Sequence, residues 1–79
     1  MPEVFRFDGF IVRVYANEEE PPHCHVVWSD KTARLTLPDL SPMPYSDRLP
    51  RPAHRTIRGN VGDIVDTWNA LHPQRRADR

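Results

Sequence analysis

The sequence predicts an α+β domain, a four-stranded antiparallel β-meander with one C-terminal α-helix packed on its apolar face. Three observations carry that expectation. Residues 3–37 hold four short runs rich in β-branched and aromatic side chains, separated by turn-forming stretches such as Asp8-Gly9. Within those runs apolar and polar residues alternate, the period of a half-buried strand. Ile57, Val61, Ile64, Trp68 and Leu71 then recur at spacings of four, three, four and three, the stripe of an amphipathic helix.

Val4-Phe5-Arg6-Phe7 is the first strand, and Asp8-Gly9 suits the positive φ values of a two-residue hairpin turn. Phe10 to Ala16 is the second. Asn17 to Pro22 makes an acidic loop containing Glu18, Glu19 and Glu20. Pro21-Pro22 fixes φ twice and biases the chain toward extended geometry, so His23 to Trp28 leaves the loop as the third strand. Ser29-Asp30-Lys31 is a turn, and Thr32 to Leu37 is the fourth strand.

Alternation assigns the faces. Phe5, Phe7, Phe10, Val12, Val14, Cys24, Val26, Trp28, Ala33, Leu35 and Leu37 form one apolar set. Val4, Arg6, Ile11, Arg13, Tyr15, His23, His25, Val27, Thr32, Arg34 and Thr36 form the other, which is expected to turn its arginines and histidines away from the helix. Strand register is not readable from the sequence, and neither is the lateral order of these groups.

Residues 38–52 hold Pro38, Pro42, Pro44, Pro50 and Pro52, a stiff irregular connection that Met43 and Tyr45 are expected to pin to the core. The helix is expected over about 53–71, with Pro52 in its first turn and His72-Pro73 ending it. Gly59 and Gly62 sit oddly there, marking either a close approach to the sheet or a soft first half. Residues 72–79 form a basic tail, expected to be mobile.

Seventy-nine residues make one small domain. Eleven basic residues balance eleven acidic ones, but residues 1–39 carry four Lys/Arg against seven Asp/Glu and residues 40–79 carry seven Arg against four Asp. That polarity suits a charged partner and lacks the uniform basicity of most nucleic-acid binders. One cysteine excludes an intramolecular disulfide and suits a reducing cytoplasm. No apolar run approaches a bilayer span and no leader pattern opens the chain, so a cytoplasmic protein is expected.

Phe5-Arg6-Phe7-Asp8-Gly9-Phe10, then Glu20-Pro21-Pro22-His23-Cys24-His25-Val26, then Asp66-Thr67-Trp68-Asn69 resemble a small prokaryotic domain-of-unknown-function family. Its hallmark is an E-P-P-H-x-H-V segment after an aromatic hairpin. The resemblance implies a standalone small protein in a toxin–antitoxin-like gene pair, and it brings no catalytic activity. Only Glu20, Pro21, Pro22, His23 and His25 transfer as motif positions. Segment 38–52 and the helix glycines depart from the pattern.

The chemistry-bearing residues admit several roles. His23 and His25 lie side by side on one strand face beside three carboxylates, yet an H-x-H pair supplies only two metal ligands where a stable site needs three or four. The sequence therefore favours hydrogen bonding at the loop–strand junction over partner contact, and partner contact over metal or catalysis. No metal and no cofactor is expected. An imidazole base with Arg13 or Arg34 as stabiliser can be drawn, but no catalytic signature accompanies it. Arg6, Arg13 and Arg34 with Tyr15 suit a sheet platform for nucleic acid, with weak, salt-sensitive affinity.

A protein partner fits best. Arg6, Arg13, Tyr15, His23, His25 and Arg34 are the contact candidates on the sheet, with Glu18, Glu19 and Glu20 as a contact of opposite sign. The expected function is a non-enzymatic regulator or inhibitor that occludes a surface of a toxin or antitoxin mate, or of a bacterial defence complex in the manner of an anti-CRISPR. The alternative is a nucleic-acid-binding or metal-dependent nuclease-like protein using His23 and His25 with the sheet arginines.

Overall fold

The computed structural model describes residues 3–18, 21–74 and 77. Four strands, β1 (Glu3–Phe7), β2 (Phe10–Arg13), β3 (His23–Trp28) and β4 (Lys31–Thr36), form one antiparallel sheet in sequential order. Two helices follow, α1 (Arg51–Gly59) and α2 (Val61–Leu71). The α+β meander expected from the sequence is present, with two helices in place of one.

The turns behave as their residues dictate. Phe7 pairs with Phe10 across Asp8 and Gly9, whose φ values of 42° and 81° are both positive, the geometry that matches strand twist in a two-residue hairpin. Trp28 pairs with Lys31, so the second tight turn is Ser29-Asp30, with Ser29 at φ 49°, and β4 starts one residue earlier than expected. β2 is shorter than its apolar run, ending at Arg13, although Val14 beyond it is fully buried.

The apolar face is the core. Val12, Val14, Cys24, Val26, Ala33, Leu35 and Leu37 pack with Ile57, Ile64, Val65 and Trp68 of the helices. Val4 is a correction to the face assignment. Pairing steps from Glu3–Arg13 to Phe5–Val12, which leaves one extra residue on β1, and this bulge brings Val4 against the core.

The helical stripe survives, but the helix breaks at Asn60. The Asn60 amide donates to the carbonyl of Thr56 (2.8 Å), its backbone N–H donates to Ile57 (2.9 Å), and its own carbonyl accepts from Asp63 and Ile64. One residue thus closes α1 and opens α2, offering the backbone local partners that compete with continuous helix. Gly59 has open space where a Cβ would stand, and its φ lies outside the left-handed region. Close approach therefore does not explain this glycine, which closes α1 beside the break at Asn60.

The proline-rich connection is pinned differently from the expectation. Tyr45 is 98% exposed, while Leu40 is buried and Leu49 packs partly against the core. Its backbone runs along the free edge of β4. Met43 N–H donates to Arg34 O (2.9 Å), Thr36 N–H to Ser41 O (2.9 Å) and Asp47 N–H to Thr32 O (3.0 Å). Arg34 N–H donates to Ser46 Oγ and Thr32 N–H to Asp47 Oδ2, both at 2.8 Å. The prolines cannot act as donors, so serine, aspartate and main-chain groups between them cap an edge that would otherwise invite pairing.

The tail expectation is also corrected at one point. Ala77 is buried, its N–H donating to Asn69 Oδ1 (2.6 Å) and its carbonyl accepting from Asn69 Nδ2 (3.1 Å). A carboxamide thus ties the segment after α2 to the core as a backbone partner would. No helix of the described residues is long and apolar enough to cross a membrane.

The open Cβ space at Gly59 yields a stability test. Gly59→Ala should stabilise the fold by about 0.5–1 kcal/mol, read as a raised midpoint in urea at unchanged slope. A lowered midpoint would show that the α1–α2 junction needs the glycine backbone.

Candidate functional site

Register supplies what the sequence withholds. Arg13 of β2 pairs with His25 of β3, and His25 pairs with Arg34 of β4. Directly opposed residues on neighbouring strands share a face, so one imidazole lies in a row between two guanidinium side chains. All three are half-buried, and the Nε atoms of both arginines are buried with no hydrogen-bond partner among the described residues. Arg6 is exposed and falls in the next row, with Ile11, Val27 and Thr32.

The acidic loop folds back on this row. His25 Nε2–H donates to Glu18 Oε1 (2.9 Å), and the Tyr15 ring meets the His25 ring edge-on at 4.7 Å. Burial is the main influence lowering the His25 pKa, reinforced by His23 and Arg34; Glu18 acts in the opposite direction. His25 is therefore held neutral at pH 7 beside a carboxylate.

His23 occupies a different environment from the expected outward-facing position. It is 3% exposed, its ring 5.2 Å from that of His25 and 5.7 Å from that of Trp68 on α2. The alternation rule places it on the polar face, but the returning loop and the end of α2 close over it. His23 Nδ1 lies 2.8 Å from the Pro21 carbonyl, which can only accept, so Nδ1 carries the proton. In the neutral ring Nε2 is then a lone pair. It is buried, has no hydrogen-bond partner among the described residues and lies 3.5 Å from Glu18 Oε2.

The sequence-stated candidates thus separate. Glu18, His23, His25, Tyr15, Arg13 and Arg34 come together. Glu18 turns inward, accepting from His25 and lying 3.5 Å from His23 Nε2, so it is an internal neighbour of both rings as well as an acidic group. Buried His23 cannot serve as a surface contact. Glu19 and Glu20 lie outside the described residues.

Two features were missed. His72 is buried, stacked on Trp68 with ring centroids 3.7 Å apart, and donates from Nδ1 to the Trp68 carbonyl (3.0 Å). With Glu18 it lines a cleft of about 490 Å³ at the end of α2. Only tertiary structure joins residues so distant in sequence. The second is an arginine cleft of about 440 Å³ lined by Arg48, Arg51, His54, Arg55 and Arg58. Arg51, Arg55 and Arg58 lie at i, i+4 and i+7, one face of α1, and that spacing was visible in the sequence.

The described site belongs to a small α+β domain with a carboxylate–histidine cluster at a loop–strand junction, beside an arginine row. The chain is a member of the family described as domain of unknown function DUF4160, whose model matches residues 9–68. No curated protein and no solved structure matches the chain.

Cys24, between the two histidines in sequence, faces the core and is fully buried. Burial pushes its pKa up from 9.0 to about 12. The folded thiol should therefore resist alkylation at pH 8 and react only on unfolding. Because the folded value is raised, its contribution to stability is complete below about pH 9 and is lost as pH rises toward 12. Urea midpoints measured across that interval should fall less steeply in Cys24→Ala than in the natural chain. Equal slopes would show that the thiol is not desolvated.

Proposed function

We propose that this protein is a non-enzymatic binding regulator or inhibitor that covers a functional surface of a larger protein through acidic groups on that surface. The Arg13–His25–Arg34 row carries the reading. Two guanidinium groups hold buried Nε–H donors that nothing within the described chain accepts. An unmet buried donor costs about 1–3 kcal/mol, and a partner carboxylate would meet it through a charge-assisted bond. The neutral imidazole between them adds no third charge, and Tyr15 braces it. The setting that suits such a protein is a toxin–antitoxin-like pair or a phage anti-defence inhibitor of the anti-CRISPR type. A single buried free thiol is in keeping with a reducing cytoplasm.

The arginine cleft favours a second reading, nucleic-acid binding. Arg48, Arg51, Arg55 and Arg58 are all exposed, and the charge of Arg58 helps to lower the pKa of Asp39. They gather around α1, whose first turn holds no acidic residue.

One experiment separates the two. Partners captured from the native host and identified by mass spectrometry should be re-bound by the purified natural chain. Arg13→Glu/Arg34→Glu should weaken that reconstituted complex at least about a hundredfold, the scale of losing two desolvated charge-assisted contacts. Arg51→Glu/Arg55→Glu should leave it within a few-fold. The reverse pattern, with salt-sensitive binding to DNA or RNA lost only in the α1 variant, would replace the protein-partner reading with the nucleic-acid one.

A further inference from the structure

The geometry points to a divalent transition-metal site, of the kind zinc occupies, formed by Glu18, His23 Nε2 and His25 Nε2 at the junction of the acidic loop and β3. The inference stands apart from the partner reading, because it would hold whether or not the arginine row binds anything.

Three observations converge on it. One ligand atom from each of the three residues lies within 4.8 Å of the others, and two imidazole nitrogens with one carboxylate oxygen form a donor set that zinc commonly takes. The H-x-H pair alone supplies two ligands, and the returning loop supplies the third.

The second observation is the orientation of His23. Its Nδ1–H is committed to the Pro21 carbonyl at 2.8 Å, the outer contact that fixes the tautomer of a metal-ligating histidine. Pro21 and Pro22 stiffen the segment that carries this carbonyl.

The third is the lone pair this leaves. His23 is 3% exposed, and its Nε2 has no hydrogen-bond partner. It faces a carboxylate oxygen 3.5 Å away. Two electron-rich atoms facing each other without an intervening proton repel at low dielectric, and a cation between them turns the repulsion into coordination. His25 would shift its ring proton from Nε2 to Nδ1, which frees the Nε2 lone pair for the same ion.

Three protein ligands leave one position of a tetrahedron open. Glu18 also lines the cleft next to His72, so water or a small exogenous ligand can reach the ion from that side. Arg13 and Arg34 flank His25 and lower the site's affinity for a cation, which favours a modest binding constant over a very tight one. Bound there, the ion would fasten the loop to β3 and fix His25 between the two arginines.

The test uses the full chain without a histidine tag. Elemental analysis after zinc loading and dialysis should give one ion per chain. Cobalt substitution should give the intense visible bands of a tetrahedral site. The thermal midpoint should rise on the order of 10 °C at a hundredfold excess of zinc over its dissociation constant. His23→Ala risks the fold, so Glu18→Gln and His25→Gln are the informative variants. Each should lower zinc affinity by more than the about 10–100-fold typical of losing an outer-shell contact. A tag-free chain that takes up no zinc or cobalt would overturn the site. So would binding that survives undiminished in both variants.

Discussion

Glu18 is the constraint on which the polar half of the molecule depends. One carboxylate reaches both imidazoles, 2.9 Å from His25 Nε2 and 3.5 Å from His23 Nε2. These contacts set Glu18 beside the start of β3. The shorter contact holds the His25 ring edge-on to Tyr15 and in line with Arg13 and Arg34. Burial makes the arrangement consequential. At 16% side-chain exposure for His25 and 28% for Glu18, their hydrogen bond is largely withdrawn from water.

The rest of the fold serves to hold that junction still. The helices bury one face of the sheet, and Trp68 extends from α2 to the His23 ring while stacking on His72. On the far side, the proline-rich connection satisfies the outer edge of β4, the strand that carries Arg34. β3 is thus paired on both sides, and β4 gains a partner that is not a regular strand. A rigid scaffold of this kind can keep unpaired cationic donors at fixed spacing, which mobile loops cannot do at the same entropic cost.

The strands, the Asp8-Gly9 turn, the core face and the helical stripe were legible in the sequence because each rests on local periodicity or a φ preference. The missing features depend on other kinds of information. Alternation placed His23 on the polar face but could not register that a loop and a helix end would close over it. The break at Asn60 was hinted at by Gly59, yet deciding between close packing and a soft junction required knowing the space around that glycine. Val4 was misassigned because a bulge shifts parity without leaving a sequence mark. Asn69 and Ala77, eight residues apart, showed no pattern at all. Arg51, Arg55 and Arg58 form a cationic stripe on α1 at i, i+4 and i+7, a pattern the sequence carries beside the apolar one.

The central claim is that the buried Nε2 of His23 is a lone pair aimed at Glu18 and available to a cation. Histidine side-chain ¹H–¹⁵N spectra at neutral pH, recorded with and without zinc, test it most directly. The expected result is a His23 ring protonated at Nδ1 and bare at Nε2 in both spectra, with zinc shifting both Nε2 resonances and moving the His25 proton from Nε2 to Nδ1. A His23 ring that carries a proton on Nε2, unchanged by zinc, would contradict it.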